Sequence, residues 1–199
     1  MNDPMPTQAL QDRIGLRAPL LFVVVILVVF GLLYSLAGTA LGRVLFPAQA
    51  TGSLIERDGR VVGSALVAQP FADARYFQPR PSAANYDPMA AAGSNLARSN
   101  PDLRKRVEEA IATVAARDGI VPSAVPMELV TQSGGGLDPH LTPASARVQV
   151  ARVAKARGLD PAIVQQAVDA ATEAPQFGLM GQPRVNVLHL NLALDARQR

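Results

Sequence analysis

The chain has 199 residues, of which 49% are hydrophobic and 18% are charged, and its net charge at pH 7 is +3. An ordinary soluble domain carries about 25% charged residues, so an apolar segment dilutes the charges here. The absence of cysteine excludes a disulfide framework, a thiol nucleophile and a cysteine metal site. The small positive charge is compatible with anionic partners but specifies none.

One apolar stretch, residues 18–42, contains no charged residue, and its core reads LLFVVVILVVFGLLYSLAG. As a helix it would be about 37 Å long, enough to cross a hydrocarbon layer of about 30 Å. A cleaved signal peptide ahead of a secreted hydrolase is the alternative, but its apolar core would span about 7 to 15 residues. We therefore predict a short cytoplasmic tail at 1–17, a transmembrane helix at 18–42 and a soluble domain at 43–199.

The charges around this helix do not decide its orientation. Arg13 and Arg17 precede it, and Arg43, Arg57 and Arg60 follow it, so the positive-inside rule gives no bias. A short tail without a folded domain is most simply kept in the cytoplasm. We expect a single-pass protein of the inner membrane with its N-terminus inside and its domain outside.

The first part of the soluble domain predicts a β-hairpin and then an irregular segment. Residues 53–56 and 60–67 read as strands joined around Asp58 and Gly59, a pair that suits a tight turn. Residues 69–100 contain four prolines and four aromatic residues, which favours an ordered loop attached to the domain by its rings. A partner-binding surface is the alternative interpretation of that loop.

Three helices are predicted from the same start signal, a capping residue followed by proline. They are expected at 101–118, at 143–157 and from 161 to about 172. The chain closes on 184–194, where alternating leucines predict a central strand paired with the N-terminal hairpin. The fold class is therefore α+β, with one mixed domain after a single transmembrane helix.

The basic residues of the predicted helix 143–157 do not indicate a nucleic-acid site. A helix turns by about 100° per residue, so these side chains point in different directions and form no basic stripe. We therefore expect no nucleic-acid partner. They are interpreted as structural or partner-facing. These residues are Arg147, Arg152, Lys155 and Arg157.

A glycine-rich segment, residues 131–141 (TQSGGGLDPHL), is the strongest candidate binding site. Its glycines let backbone amides approach an anion, and Thr142 with Pro143 opens a helix whose start would favour the phosphates of a nucleotide. The alternative is a turn in which Asp138 and Thr142 satisfy local amides. The candidate nucleotide-binding residues are Gln132, Ser133, Gly134, Gly135 and Gly136.

Residues for self-sufficient catalysis are missing from the sequence. The two histidines, His140 and His189, are too few for a metal cluster without carboxylates, and His189 is interpreted as a structural residue of the last strand. The sequence contains no P-loop, GxSxG, HExxH or DKTG motif. We therefore expect neither catalytic residues nor a metal site.

Several segments together resemble one family, the C subunit of the bacterial Kdp potassium-transporting P-type ATPase. The resemblance implies a single-pass accessory subunit whose partners are a pore-forming and an ATP-hydrolysing subunit. The segments that carry it are LFPAQATGS at 45–53, VGS at 62–64, Gln69, YFQPRPSA at 76–83, GSNL at 93–96, SGGGLDPHLTP at 133–143, RVAKARG at 152–158, PRVNVL at 183–188 and LNL at 190–192.

The same resemblance implies a catalytic chaperone that raises the ATP affinity of the hydrolysing subunit through a shared ATP. The family's loop has been likened to the signature loop of ABC transporters, which would place residues 132–136 near the nucleotide. The usual second serine of that loop is Gly135 here, so one hydroxyl is lost. The small residues Gly31, Ser35 and Gly38 would let a partner helix approach closely.

The expected orientation conflicts with direct contact to ATP. A domain outside the membrane cannot reach cytosolic ATP, so any effect on affinity would have to pass through the helix to the partner subunits. The alternative function is a purely structural external cap or clamp on the potassium-entry side. It would require no nucleotide contact.

Overall fold

A computed structural model describes residues 15–198, so most of the predicted tail at 1–17 lies outside the described residues. The chain divides into two compact units after Thr51, and each is considered by itself. The predicted boundaries at residues 17 and 42 stay predictions. The α+β class is confirmed, because one apolar helix is followed by a unit of helices and small sheets.

The first unit is dominated by one helix, α1, which extends over Arg17–Leu45 and so includes the whole predicted span. It has 29 residues and an 18-residue window of mean hydropathy 3.0, none of which is buried. Its middle section, Leu27–Leu33, is π-helical. The short helix α2 follows at Pro47–Ala50, where proline was expected to end the span. By length and composition, α1 can cross a membrane.

The second unit begins with the predicted hairpin. Strands β1 (Leu54–Arg57) and β2 (Arg60–Ser64) pair in antiparallel fashion, with a bulge at Ile55/Glu56. Asp58 and Gly59 have φ values of 52° and 73°, as a two-residue turn with two left-handed positions requires. The hairpin prediction is therefore confirmed, although the second strand is shorter than expected.

The predicted helix starts are confirmed by their caps. Helix α3 extends over Pro101–Asp118, and the Asn100 side chain accepts from the backbone N–H of Asp102. The helix predicted at 143–157 is interrupted, giving α4 (Pro143–Arg147) and α5 (Val150–Arg157). Helix α6 covers Pro161–Ala170. The interruption lies at Gln149, whose side chain turns into the protein.

A small sheet and a last helix replace the predicted C-terminal strand. Strands β3 (His140–Leu141), β4 (Thr172–Glu173) and β5 (Arg184–Asn186) form an antiparallel sheet in the order β3-β5-β4. Helix α7 then extends over Val187–Ala196. The prediction of a strand over 184–194 is thus wrong after residue 186. The hairpin forms a sheet of its own, so the predicted pairing is wrong as well.

Asn186 explains the early end of β5, because its side chain accepts from the backbone N–H of His189 and caps the helix. The buried residues Val187, Leu190, Asn191 and Leu194 then follow helical spacing. Alternating leucines also fit a helix that is apolar on most sides. His189 lies exposed on α7, so its placement on a strand is wrong.

The core of the second unit lies among α3, α5, α6, α7 and the small sheet. Its members come from all four helices, and one aromatic ring from the irregular loop joins them. The fully buried side chains include Phe77, Val153, Val164, Val168, Leu190 and Leu194.

Two buried amide side chains hold the irregular loop in this core. The Asn191 carboxamide accepts from the Phe77 N–H at 2.8 Å and donates to the Phe77 carbonyl at 3.0 Å. The Gln149 carboxamide does the same for Gln78, at 2.8 and 3.1 Å. Each side chain thus pairs both backbone groups of one residue, as a neighbouring strand would. Residues 74–78 are called the clamped segment below.

Arg152 continues this pattern from α5. Its guanidinium donates to the carbonyls of Ala74 and Tyr76 and forms an ion pair with the buried Asp118 at 2.7 Å. Burial lowers the pKa of Arg152, and the hydrogen bond and charge of Asp118 oppose that shift. Arg152 is therefore a structural residue, which was one of the two interpretations, structural or partner-facing, of the basic residues in this region.

Arg157 supports the other side of the clamped segment. It donates to the Arg75 carbonyl at 2.7 Å and to Asp195 at 2.9 Å, and its guanidinium lies 5.2 Å from the centre of the Tyr76 ring. Asp195 also accepts from Arg57 of the hairpin at 3.1 Å. One carboxylate therefore connects the hairpin, the clamped segment and the last helix.

Asn191→Ala is expected to lower the free energy of unfolding by about 2 to 4 kcal/mol, because it leaves both buried backbone groups of Phe77 without a partner. Denaturant unfolding of the full chain in detergent measures this. Gln166→Ala is the control, since Gln166 is an exposed amide on α6. Equal stabilities of the two variants would contradict the role of Asn191.

Candidate functional site

The glycine loop, residues 132–138, is attached to the domain at several points. The Ser133 N–H donates to the Pro81 carbonyl at 3.0 Å, and the Leu137 carbonyl accepts from the Ala68 N–H at 2.9 Å. Inside the loop, the Gly136 N–H donates to the Ser133 carbonyl at 3.1 Å. The loop is therefore an ordered turn that packs on the irregular segment predicted at 69–100.

Close packing explains one of the three loop glycines. Gly136 has a φ of +74°, and a Cβ there would lie 2.8 Å from the Ala92 carbonyl oxygen. On the opposite segment, a Cβ at Gly93 would lie 2.6 Å from the Gly134 carbonyl oxygen. Gly136 and Gly93 are thus required by the contact between two backbones. A ligand is not needed to explain them.

The other two loop glycines are open to solvent. Gly134 and Gly135 are exposed, and a Cβ at either would meet no atom within 4 Å. Within residues 15–198, their N–H groups donate no hydrogen bond. Two adjacent free amides are the part of the predicted site that an anion can reach without rearrangement.

The remaining two candidate residues are less accessible. Ser133 is buried, and the side-chain oxygen of Gln132 is buried without a hydrogen-bond partner in the described part of the chain. The structure therefore brings the five candidates together in one loop but exposes only two of them. Sequence spacing could not distinguish the exposed candidates from the less accessible ones, because all five lie in one short segment.

The helix start that follows the loop already holds a carboxylate. Glu128 accepts from the backbone N–H of Thr142 at 2.9 Å and from its hydroxyl at 2.8 Å. The Thr142 hydroxyl in turn accepts from the Ser145 N–H. The negative charge of Glu128 opposes a phosphate at this position. Helix α4 also has only five residues, so its dipole is short.

Asp138 organises the charges at the end of the loop. Its carboxylate accepts from the His140 backbone N–H at 3.0 Å and forms an ion pair with Arg80 at 3.2 Å. Burial would raise the pKa of Asp138, but the hydrogen bonds from His140 and the charge of Arg80 outweigh it and hold the pKa below its ordinary value. Asp138 and Thr142 thus satisfy local amides, as the alternative interpretation proposed.

Sequence reasoning did not identify Arg80 as the ion-pair partner of the loop residue Asp138, or Tyr86 as a partner of Arg80. The Tyr86 hydroxyl donates to the Arg80 carbonyl at 2.9 Å, and burial raises the pKa of Tyr86 while the charge of Arg117 opposes the rise. Both residues lie in the irregular segment, whose aromatic residues indicated anchoring. The partner of each could not be read from spacing.

The described residues contain no group of three or more histidine, aspartate or glutamate side chains that could hold a metal ion. A cavity of about 620 Å³ lies elsewhere, between α3 and α5, and Arg117, Asp118 and Arg152 are among its lining residues. The two arginines already pair with Asp118 there. The cavity is therefore lined by the ion pairs of Asp118, which position Arg152 against the clamped segment.

The family model described as "K+-transporting ATPase, c chain" (KdpC) matches residues 16–196. The chain belongs to this family. The match begins one residue before α1 and ends at the last residue of α7, so it includes the apolar helix and most of the second unit. The resemblance found in the sequence is thus confirmed.

Individual members of the KdpC family are similar over nearly their whole length. A potassium-transporting ATPase KdpC subunit of Xanthomonas oryzae pv. oryzae is 66% identical over 195 residues, covering 98% of this chain and 92% of the relative. That of Xanthomonas campestris pv. campestris (strain B100) is 62% identical over 186 residues, with coverages of 94% and 89%. That of Shewanella putrefaciens is 50% identical over 196 residues, with coverages of 98% and 96%.

The lowered pKa of Asp138 predicts how the loop responds to acid. A carboxyl group whose pKa is depressed by folding contributes stability that is complete above its ordinary value of 3.8 and is lost as the pH falls through the lowered pKa. We expect an NMR titration of the Asp138 carboxyl in the full chain to show a midpoint below 3.8. A midpoint at or above that value would contradict the assigned hydrogen bonds and ion pair.

Proposed function

We propose that this chain is a non-hydrolytic, single-pass subunit of a potassium-transporting ATPase complex. The observation that carries the proposal is the family match over residues 16–196, which joins the apolar helix and the folded unit in one pattern. The names of the relatives describe them as subunits of such an ATPase. In this role the chain helps to assemble the complex and contributes no catalytic residue.

The proposed partners are the pore-forming and ATP-hydrolysing subunits. Helix α1 has no buried residue, so its whole surface is available for lipid and for other membrane helices. The proposed orientation keeps the short N-terminal tail in the cytoplasm and the domain outside the inner membrane. There the domain would act as a cap or clamp on the potassium-entry side.

We further propose that the chain acts as a catalytic chaperone, raising the affinity of the hydrolysing subunit for ATP. With the domain outside, this effect would pass through α1 and its contacts as a coupling between distant sites. The limited access to the glycine loop supports coupling through α1 over direct contact between the loop and ATP. Ser133 is buried, and Glu128 lies at the adjoining helix start.

Protease access in sealed vesicles of known orientation tests the proposed topology. We expect cleavage of the domain only by protease on the outer side, with release of a fragment that begins after α1. Cleavage only from the cytoplasmic side would overturn the external location. The same digestion in detergent-opened vesicles is the control that the domain can be cut.

Direct ATP contact is the second candidate function, and the free amides of Gly134 and Gly135 favour it. A phosphate bound by these amides would accept two charge-assisted hydrogen bonds, as in other backbone anion sites. In that case the loop would share the ATP with the hydrolysing subunit. This function requires the domain to reach the cytoplasm.

Gly135→Pro and Gly135→Ala distinguish the two routes, because only proline removes the amide hydrogen. Coupling through α1 predicts that both variants leave the KM of the complex for ATP unchanged. Direct contact predicts a rise in KM of at least about tenfold for the proline variant alone. Thermal unfolding of both variants checks that the loop change has not unfolded the domain.

A further inference from the structure

The connection between β4 and β5 displays three large apolar side chains to solvent. Phe177 is 82% exposed, Leu179 is 88% exposed and Met180 is 64% exposed. They lie within four residues of one another at the tip of the loop 174–183, called the apolar tip below. Clustered exposed apolar residues commonly mark an interaction site, whereas single ones are ordinary.

The apolar tip is held in place by its own backbone. Gln176 and Met180 exchange two hydrogen bonds, N–H to carbonyl in each direction, at 2.8 and 3.0 Å. The Gly178 N–H donates to the Pro175 carbonyl at 2.9 Å. Phe177 has a φ of 55°, a left-handed conformation that costs a residue with a Cβ free energy. The three side chains are thus presented by an ordered turn, which lowers the entropic cost of binding.

The charge around the apolar tip indicates what it can bind. Residues 174–183 contain no charged side chain. At the base of the loop, Glu173 and Arg184 pair with each other at 3.0 Å. Segments that bind anionic membrane surfaces carry clusters of lysine and arginine, which are missing here. A neutral apolar tip instead complements an uncharged apolar groove on a protein.

We propose that the apolar tip docks into an uncharged apolar groove on another subunit of the potassium-transporting ATPase complex. This inference rests on the proposed function and names a contact site within it. Phe177 and Leu179 would fill the groove as anchors, and the flexible thioether side chain of Met180 would adapt to its edge. The tip thereby adds a contact from the folded unit to those made by α1.

The variant Phe177→Asn/Leu179→Asn tests the contact. Asparagine tolerates a positive φ, so the exchange at 177 removes the ring without straining the turn. Met89→Asn is the matched control, because Met89 is 92% exposed and lies outside the tip. Each full-length variant is co-expressed with the other subunits, and its recovery with a tagged partner in detergent is measured.

We expect the double variant to be recovered at roughly a tenth of the wild-type level or less, as for loss of an interface anchor, and Met89→Asn to be recovered as wild type. Equal recovery of the double variant would overturn the contact while leaving complex membership intact. Failure of the wild-type chain to co-purify would overturn the proposed function itself. An unchanged thermal midpoint of the double variant shows that its loss is not caused by unfolding.

Photocrosslinking provides a second measurement that does not depend on a stable variant. The chain has no cysteine, so Leu179→Cys gives a single attachment point on this chain for a benzophenone label, which is attached before the chain is assembled with the other subunits. We expect an adduct with another subunit that the same label at Met89→Cys does not form. Adducts with lipid only, with a second copy of this chain only, or none above the Met89→Cys control would each overturn the proposal.

Discussion

The folded unit depends on one constraint, which is that an irregular stretch of backbone inserts Phe77 into its core. Such a stretch has no strand or helix of its own to pair its N–H and carbonyl groups, and leaving them unpaired would cost more than the burial of Phe77 gains. Asn191 and Gln149 pair both backbone groups of residues 77 and 78, and Arg152 and Arg157 donate to the carbonyls of residues 74–76. The clamped segment thus determines where four polar side chains must lie.

This constraint also explains where local sequence signals were sufficient. Caps such as Asn100 and the pair Asp58 and Gly59 act within a few residues, so spacing alone predicted the three helix starts and the hairpin turn. Gln149 and Asn191 act across 71 and 114 residues of sequence. Hydrophobic periodicity does not contain that information, so the interruption of the helix at Gln149 could not be predicted. The last helix has a local cap at Asn186, but its alternating leucines fit a strand as well as a helix that is apolar on most sides.

The candidate site shows a related limit. Three consecutive glycines suggested a phosphate cradle, yet Gly136 is needed because another backbone approaches it, while Gly134 and Gly135 are open. One of the three glycines is therefore required by packing, and the other two have free amides. Only the contact between Gly136 and the Ala92 carbonyl, which the sequence does not reveal, distinguishes them. The family resemblance, by contrast, could be identified from the sequence alone, since the segments that carry it extend from the end of the apolar helix to α7.

The chain combines an apolar helix with a folded unit whose core is organised by the clamped segment. Hydrogen exchange of the full chain tests this organisation most directly. The amides of Phe77 and Gln78 are predicted to exchange as slowly as those of the buried face of α6, because Asn191 and Gln149 release them only when the core opens. Exchange of these two amides as fast as that of the exposed loop at 88–92 would contradict the account.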